Sequence, residues 1–116
     1  MNPNQAIDEI SVEELAQRIT TTTTDLQLVD VRERRELELA AITGFTNFPL
    51  SESAAWAAQI HTQLDPQKET LVLCHHGMRS AQMCQWLISQ GFTNVKNISG
   101  GIDAYAIVVD PTVGRY

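Results

Sequence analysis

The sequence predicts an α/β domain with a mainly parallel β-sheet flanked by helices. Three short strand-like segments, at residues 26–31, 70–74 and 94–98, alternate with segments of helical periodicity, the pattern of repeated strand–helix–strand crossovers. The 116 residues suffice for one hydrophobic core but not for two. Neither an internal repeat nor a linker divides them, so residues 1–116 are expected to form a single domain.

The elements follow in order. "ISVEELAQRI", residues 10–19, opens with Ser11 as N-cap, Glu14 three residues later, and Ile10 placed to staple against Leu15, which predicts a helix to about Ile19. The threonines from Thr20 to Thr24 read as a connector ending at Asp25. "LQLVDV", residues 26–31, is bounded by Asp25 and the charged "RERRE", as expected of a strand covered on both faces. In "SESAAWAAQIHTQL", residues 51–64, Trp56, Ile60 and Leu64 recur every four positions, predicting one amphipathic helix stopped by Asp65 and Pro66. Both Trp56 and Trp86 are expected to pack over the core, and His61 to be exposed or to cap. "TLVLC" is the next strand. After it, Ala81, Cys84, Leu87 and Ile88 share one helical face, with Gly91 as the C-terminal stop. "NVKNI" is a further strand, and "SGGIDAYAIV" begins with two glycines and turns into a last short helix.

Composition narrows the function. Fourteen acidic residues against eight basic ones give a net charge of −6 with no Lys/Arg run, which argues against a nucleic-acid partner. "MNPNQAIDEI" has neither the basic flank nor the apolar stretch of a leader, and no window approaches the ~18 apolar residues of a membrane span. A cytoplasmic protein without membrane partners is expected. Two cysteines are not a disulfide framework, so both thiols are expected to be reduced.

In parallel sheets ligands bind beyond the carboxyl ends of the strands. Three loops should meet there: Arg32–Glu36, Cys74–Ser80 and Ser99–Gly101. The second, "CHHGMRS", leaves a strand and enters a helix, so its backbone N–H groups can curl inward as an anion-binding nest beside a positive helix terminus. Gly77 permits the tight turn. A cysteine at the mouth of that nest, with Arg79 at the helix entrance, is expected to favour the thiolate and to act as a nucleophile. Asp30 or Glu33 is expected to orient Arg79 through a charge-assisted pair. Cys84, on an apolar helical face, reads as packing. A metal is not expected: Cys74, His75 and His76 are consecutive on one turn, and no spaced pair of ligands accompanies them.

These residues resemble the rhodanese family of sulfurtransferases. The resemblance runs from "ISVEELAQRI" through "LVDVRERREL", "NFPL" and "LCHHGMRSAQ" to "GFTNVKNISGGIDAYA". It implies a rhodanese-like fold, with Cys74 as a persulfide carrier that receives sulfane sulfur from a donor and passes it to a thiol or other nucleophile. It further implies a cradle of His75, His76, Gly77, Met78, Arg79 and Ser80, support from Asp30, Arg32, Gly100 and Gly101, and no cofactor. The implied partners are a small anionic sulfur donor or a persulfide-bearing protein, and a thiol acceptor.

The chain departs from the family pattern in two places. Residues 40–45 read "AAITGF" where many relatives carry a "GHIPGA"-like turn, although Gly44, Asn47 and Pro49 remain. His75 and His76 stand where the paired basic residues that suit thiosulfate would be, so the expected donor is thiosulfate, as a surrogate, or a protein or low-molecular-weight persulfide.

Two other functions compete. A Cys-dependent phosphatase or arsenate reductase would resemble C-x5-R, whereas Cys74 and Arg79 form the shorter C-x4-R, a ring matched to a lone sulfur. A non-enzymatic interaction or regulatory module shares the fold. The intact cysteine loop argues against it.

Overall fold

The computed structural model describes residues 7–21 and 25–116. Five strands, β1 (Asp8–Ile10), β2 (Leu26–Asp30), β3 (Thr46–Asn47), β4 (Glu69–Leu73) and β5 (Val95–Ile98), form one sheet in the order β1-β5-β4-β2-β3. Every neighbouring pair is parallel. Six helices connect and cover them: α1 (Val12–Thr20), α2 (Arg34–Leu37), α3 (Ser53–Trp56), α4 (Ile60–Gln63), α5 (Met78–Ser89) and α6 (Gly101–Val108). The expected α/β class and parallel sheet are both present. Thr22–Thr24 of the expected connector lie outside the described residues.

The alternation of side chains along a strand builds two cores, one on each face of the sheet. On β4, Val72 points to the face covered by α3, α4 and α5, where it packs with Val29, Trp56, Ile60, Met83, Cys84 and Leu87. Leu71 and Leu73 point to the other face, under α1 and α6, with Leu15, Ile98, Ile102 and Tyr105. Losing one such side chain, as in Leu87→Ala, costs about 2–5 kcal/mol.

Local signals set several element ends. Ser11 Oγ accepts the Glu14 N–H at 3.1 Å and starts α1 as expected. Gly91, at φ +96°, ends α5: Phe92 N–H donates to Leu87 O and Gly91 N–H to Ile88 O, a Schellman closure. Cys84 and Leu87 of the expected α5 face are buried, together with Ser80 and Met83, while Ala81 and Ile88 sit at its half-buried margin. His61 Nε2 lies 2.7 Å from Gln90 O, an exposed cap on the far end of α5.

One expectation is corrected. Residues 51–64 do not form a continuous helix but two single turns, α3 and α4, joined by a 3-10 step at Ala57–Gln59. The breaks fall at Trp56 and Gln59, whose φ angles of −115° and −107° depart from the regular helical value near −63°. Indole packing accounts for the first: Trp56 Nε1 donates to Pro49 O at 2.8 Å while its ring meets Phe48 and Trp86 edge-on. The short elements β1, β3 and α2, and a 3-10 turn at Pro111–Val113, carry no signal strong enough to be predicted. A turn through Gly44, at φ +101°, carries the altered "AAITGF" connection into β3. Among the described residues no helix is long and apolar enough to cross a membrane.

Candidate active site

Strand order reverses at the centre of the sheet, where β2 and β4 lie side by side, and the three expected loops meet beyond their carboxyl ends. Cys74 follows β4 directly and is 1 % exposed. Its Sγ receives two donors, the Gly77 N–H at 3.0 Å and the Ser80 hydroxyl at 3.2 Å. Gly77, at φ +104°, turns the chain into α5, so the helix N-terminus faces the sulfur.

The loop is docked from behind on the start of α6. Ile102 N–H donates to Cys74 O at 2.9 Å and Asp103 N–H to His75 O at 3.1 Å. A side chain at Gly101 would place its Cβ 2.5 Å from Cys74 O and 2.4 Å from His75 O, so only glycine allows this approach. Gly100 N lies 3.3 Å from where a Gly77 Cβ would stand. Both glycines named from sequence therefore shape the loop through their backbones.

Ser80 is tied to a chain of polar groups that runs from the buried Asn97 out to the exposed Glu9. Its Oγ lies 2.5 Å from Asn97 Oδ1, and Asn97 Nδ2 donates to Gly77 O and to Glu9 Oε2, each at 3.0 Å. The single hydroxyl proton of Ser80 thus has two acceptors, Asn97 and the sulfur. Asn97 on β5 and Glu9 on β1 were not expected here. Neither carried a distinct signal: "NVKNI" holds three polar residues of which Asn97 is one, and Glu9 stands in a polar N-terminal stretch.

Arg79 is oriented by Glu36, and the expectation of Asp30 or Glu33 is corrected. Arg79 Nη1 and Nη2 donate to the two Glu36 oxygens at 2.8 and 2.9 Å. The Glu33 N–H and the Tyr116 hydroxyl complete that carboxylate at 2.7 Å each. Arg79 holds the Glu36 carboxyl well below its usual range, down to about 2, and the carboxylate in turn raises Arg79. Asp30 instead binds Arg32 through Nε at 3.0 Å and Nη2 at 2.8 Å, a pair with both side chains buried. Glu33 reaches back to Ser51, accepting its N–H at 3.3 Å and its hydroxyl. Geometry decides the exchange: β2 ends at Asp30, and one turn of α2 carries Glu36 toward the Arg79 guanidinium.

The remaining loop residues form its rim. His75 lies between two rings, His76 at 3.9 Å and Tyr116 at 3.9 Å, while Met78 and His76 are largely exposed. Burial, then the proximity of His76, lowers the His75 pKa. Burial pushes the Cys84 thiol up to about 12, so it stays protonated and serves packing.

His75, His76 and Asp103 bring ligand atoms within 4.8 Å of one another. They fit a metal poorly. The two rings are stacked on each other at 3.9 Å as consecutive residues of one turn, and Asp103 is already held by Arg115 at 2.9 Å.

Residues 11–107 match the family model of the rhodanese-like domain. The chain belongs to the rhodanese-like family. It is similar to a "Sulfurtransferase" of Allochromatium vinosum, 32 % identical over 86 % of this chain and 89 % of that protein. It is also similar to the chloroplastic rhodanese-like/PpiC domain-containing protein 12 of Arabidopsis thaliana, 43 % identical over 100 % of this chain but only 40 % of that relative's length. Among solved structures, a rhodanese-related protein from Thermoplasma volcanium superposes with a TM-score of 0.71 and 29 % identity, covering 86 % of this chain and 91 % of that one. The rhodanese-like fold is thus shown, and relatives carry the sulfurtransferase name.

Proposed function

We propose that this rhodanese-like domain is a sulfurtransferase that carries sulfane sulfur as a persulfide on Cys74. The carrying observation is the pair of donors, Gly77 N–H and Ser80 hydroxyl, aimed at Sγ from a loop seated between two helix N-termini. In the first half-reaction the Cys74 thiolate attacks the terminal sulfur of R–S–S⁻. Its S–S bond breaks and R–S⁻ leaves, giving Cys74–S–S⁻. An acceptor thiolate then attacks the outer sulfur, takes it as R′–S–S⁻ and returns the Cys74 thiolate. Oxidation states balance across the cycle, and no cofactor takes part. The Gly77 N–H and the N-terminus of α5 stabilise charge on sulfur throughout.

Charge around the loop favours a persulfide donor over thiosulfate. The Arg79 guanidinium is neutralised bidentately by Glu36, and His75 is disposed to stay neutral, so little side-chain charge is free to hold a dianion. Thiosulfate serves as a surrogate, with sulfite as its leaving group. The near-complete burial of Cys74 favours a narrow sulfur chain over a tetrahedral phosphoryl group. The physiological partners are then a persulfide-bearing protein or small molecule and a thiol acceptor, in a reducing compartment such as the cytoplasm.

Intact-protein mass spectrometry tests this. Incubation with a cysteine desulfurase plus cysteine should add about 32 Da, one sulfur atom, faster than incubation with thiosulfate does. Cys74→Ser should add none, since serine supplies no accessible anion near neutral pH. Loading that survives Cys74→Ser would defeat the proposal.

A further inference from the structure

Beyond α6 the chain turns back through Pro111–Val113 and lays Tyr116 over the rim of the Cys74 loop. Three anchors fix this return. Asp110 accepts the Thr112 N–H at 3.0 Å, Arg115 Nε donates to Asp103 at 2.9 Å, and a Cβ at Gly114 would lie 2.6 Å from Leu39 O. The segment is seated, and Tyr116 arrives in a defined place.

Tyr116 touches both loops that frame the sulfur. Its ring lies parallel to His75, 3.9 Å away and 6° from coplanar orientation. Its hydroxyl accepts from Arg32 Nη1 at 3.1 Å and donates to Glu36 Oε1 at 2.7 Å. Glu36 Oε1 also receives Arg79 Nη2, so one oxygen joins Tyr116 to the start of α5. His75 Nε2 is buried without a hydrogen-bond partner among the described residues. No hydrogen bond through that atom fixes the ring, so its place depends on the rings that cover its faces.

We propose that Tyr116 is a positioning residue for the Cys74 loop: its ring clamps His75, and its hydroxyl holds Glu36 on Arg79. This role rests on the sulfur-transfer function proposed for the loop. Tyr116 touches neither the sulfur nor its two donors and acts through His75 and Glu36.

Two variants separate the contacts. Tyr116→Phe keeps the stack and removes the hydroxyl; Tyr116→Ala removes both. Sulfur loading is followed by intact mass across a range of persulfide donor concentrations. The maximal rate should fall about fivefold in the first variant, one hydrogen bond's worth. It should fall by about thirtyfold in the second, the scale of a misplaced reacting group. The half-saturating donor concentration should stay the same in both.

NMR titration of the His75 imidazole supplies a readout independent of sulfur transfer. The groups facing that ring are His76 on its own loop, Tyr116, Asp103 on α6 and Glu36 on α2. Uncovering the ring in Tyr116→Ala should move its titration back up toward ordinary imidazole. Tyr116→Phe should leave it in place. A wild type that loads sulfur, beside a Tyr116→Ala variant with unchanged maximal rate or unchanged His75 titration, overturns this inference alone. A wild type that takes up no sulfur defeats the sulfur-transfer function and this role with it.

Discussion

Replacing Gly101 by alanine should disable the Cys74 loop without touching a side chain in it. The added Cβ would stand 2.5 Å from Cys74 O and 2.4 Å from His75 O, both backbone atoms. Carbon and oxygen pack no closer than about 3.2 Å, so the loop must retreat by roughly 0.8 Å. That retreat carries the bonds from Ile102 N–H to Cys74 O, now 2.9 Å, and from Asp103 N–H to His75 O, now 3.1 Å, past the limit of hydrogen bonding. Two lost bonds at about 1 kcal/mol each, with about 1 kcal/mol for alanine at the Gly101 φ of +63°, make a loss near 3 kcal/mol. A displacement on this scale should slow loading by about a hundredfold. Gly91→Ala is the control: its φ is +96°, yet nothing lies within 4 Å of the added Cβ. It should cost about 1 kcal/mol and leave loading unchanged. Urea denaturation and an intact-mass time course measure both quantities. Wild-type loading by Gly101→Ala, or equal loss in the two variants, would refute the close-approach explanation.

Two further perturbations probe the groups around the sulfur. The Glu36 carboxyl drops from 4.5 to about 2 in the folded protein, so its contribution to stability is complete above its unfolded pKa and is lost as pH falls through the folded one. Because the Arg79 side chain is 36 % exposed, solvent screening reduces that contribution to about 1–2 kcal/mol; Glu36→Gln should therefore lose this much at pH 7 in urea titrations and converge on wild type toward pH 2, and a pH-independent difference would count against the ion pair. Ser80→Ala removes one of the two donors to Sγ and should slow loading about tenfold, whereas Asn97→Ala should cost about 1–3 kcal/mol of stability by stranding Gly77 O and Ser80; full loading rates in Ser80→Ala would exclude the hydroxyl as a donor.

The parts legible in the sequence were those decided locally. Ser11 with Glu14, and Gly91 after an apolar face, announced helix ends because caps are made by residues a few positions apart. The Cys74 loop was legible for the same reason, since Gly77 and the helix start lie within its own span. Residues 51–64 misled because a four-residue spacing records which side chains face the core, not whether the backbone between them stays helical; the Trp56 bond to Pro49 O decided that. The partners of the site were the least visible. Glu36, Asn97 and Tyr116 lie 43, 17 and 80 positions from the residues they bind, Arg79, Ser80 and Glu36. Only the fold brings them together. Asp30 was the natural guess for Arg79 because it ends the adjacent strand, but Arg32, two residues on, claims it first.

The pairing of β1 with β5 has a consequence for the order of assembly. Glu9 and Asn97, which meet across that pair, are 88 residues apart, and the Ser99 N–H closes on Ile10 O. Loops of that length close slowly, and folding rates fall as contacts become less local. On the ribosome, the strand Asp8–Ile10 must therefore wait, unpaired, until β5 has emerged. Gly101, which backs the Cys74 loop, emerges a few residues after β5. The thiol is thus synthesised well before its cradle can be built, and a nascent chain stalled between the two would carry Cys74 as an ordinary accessible cysteine.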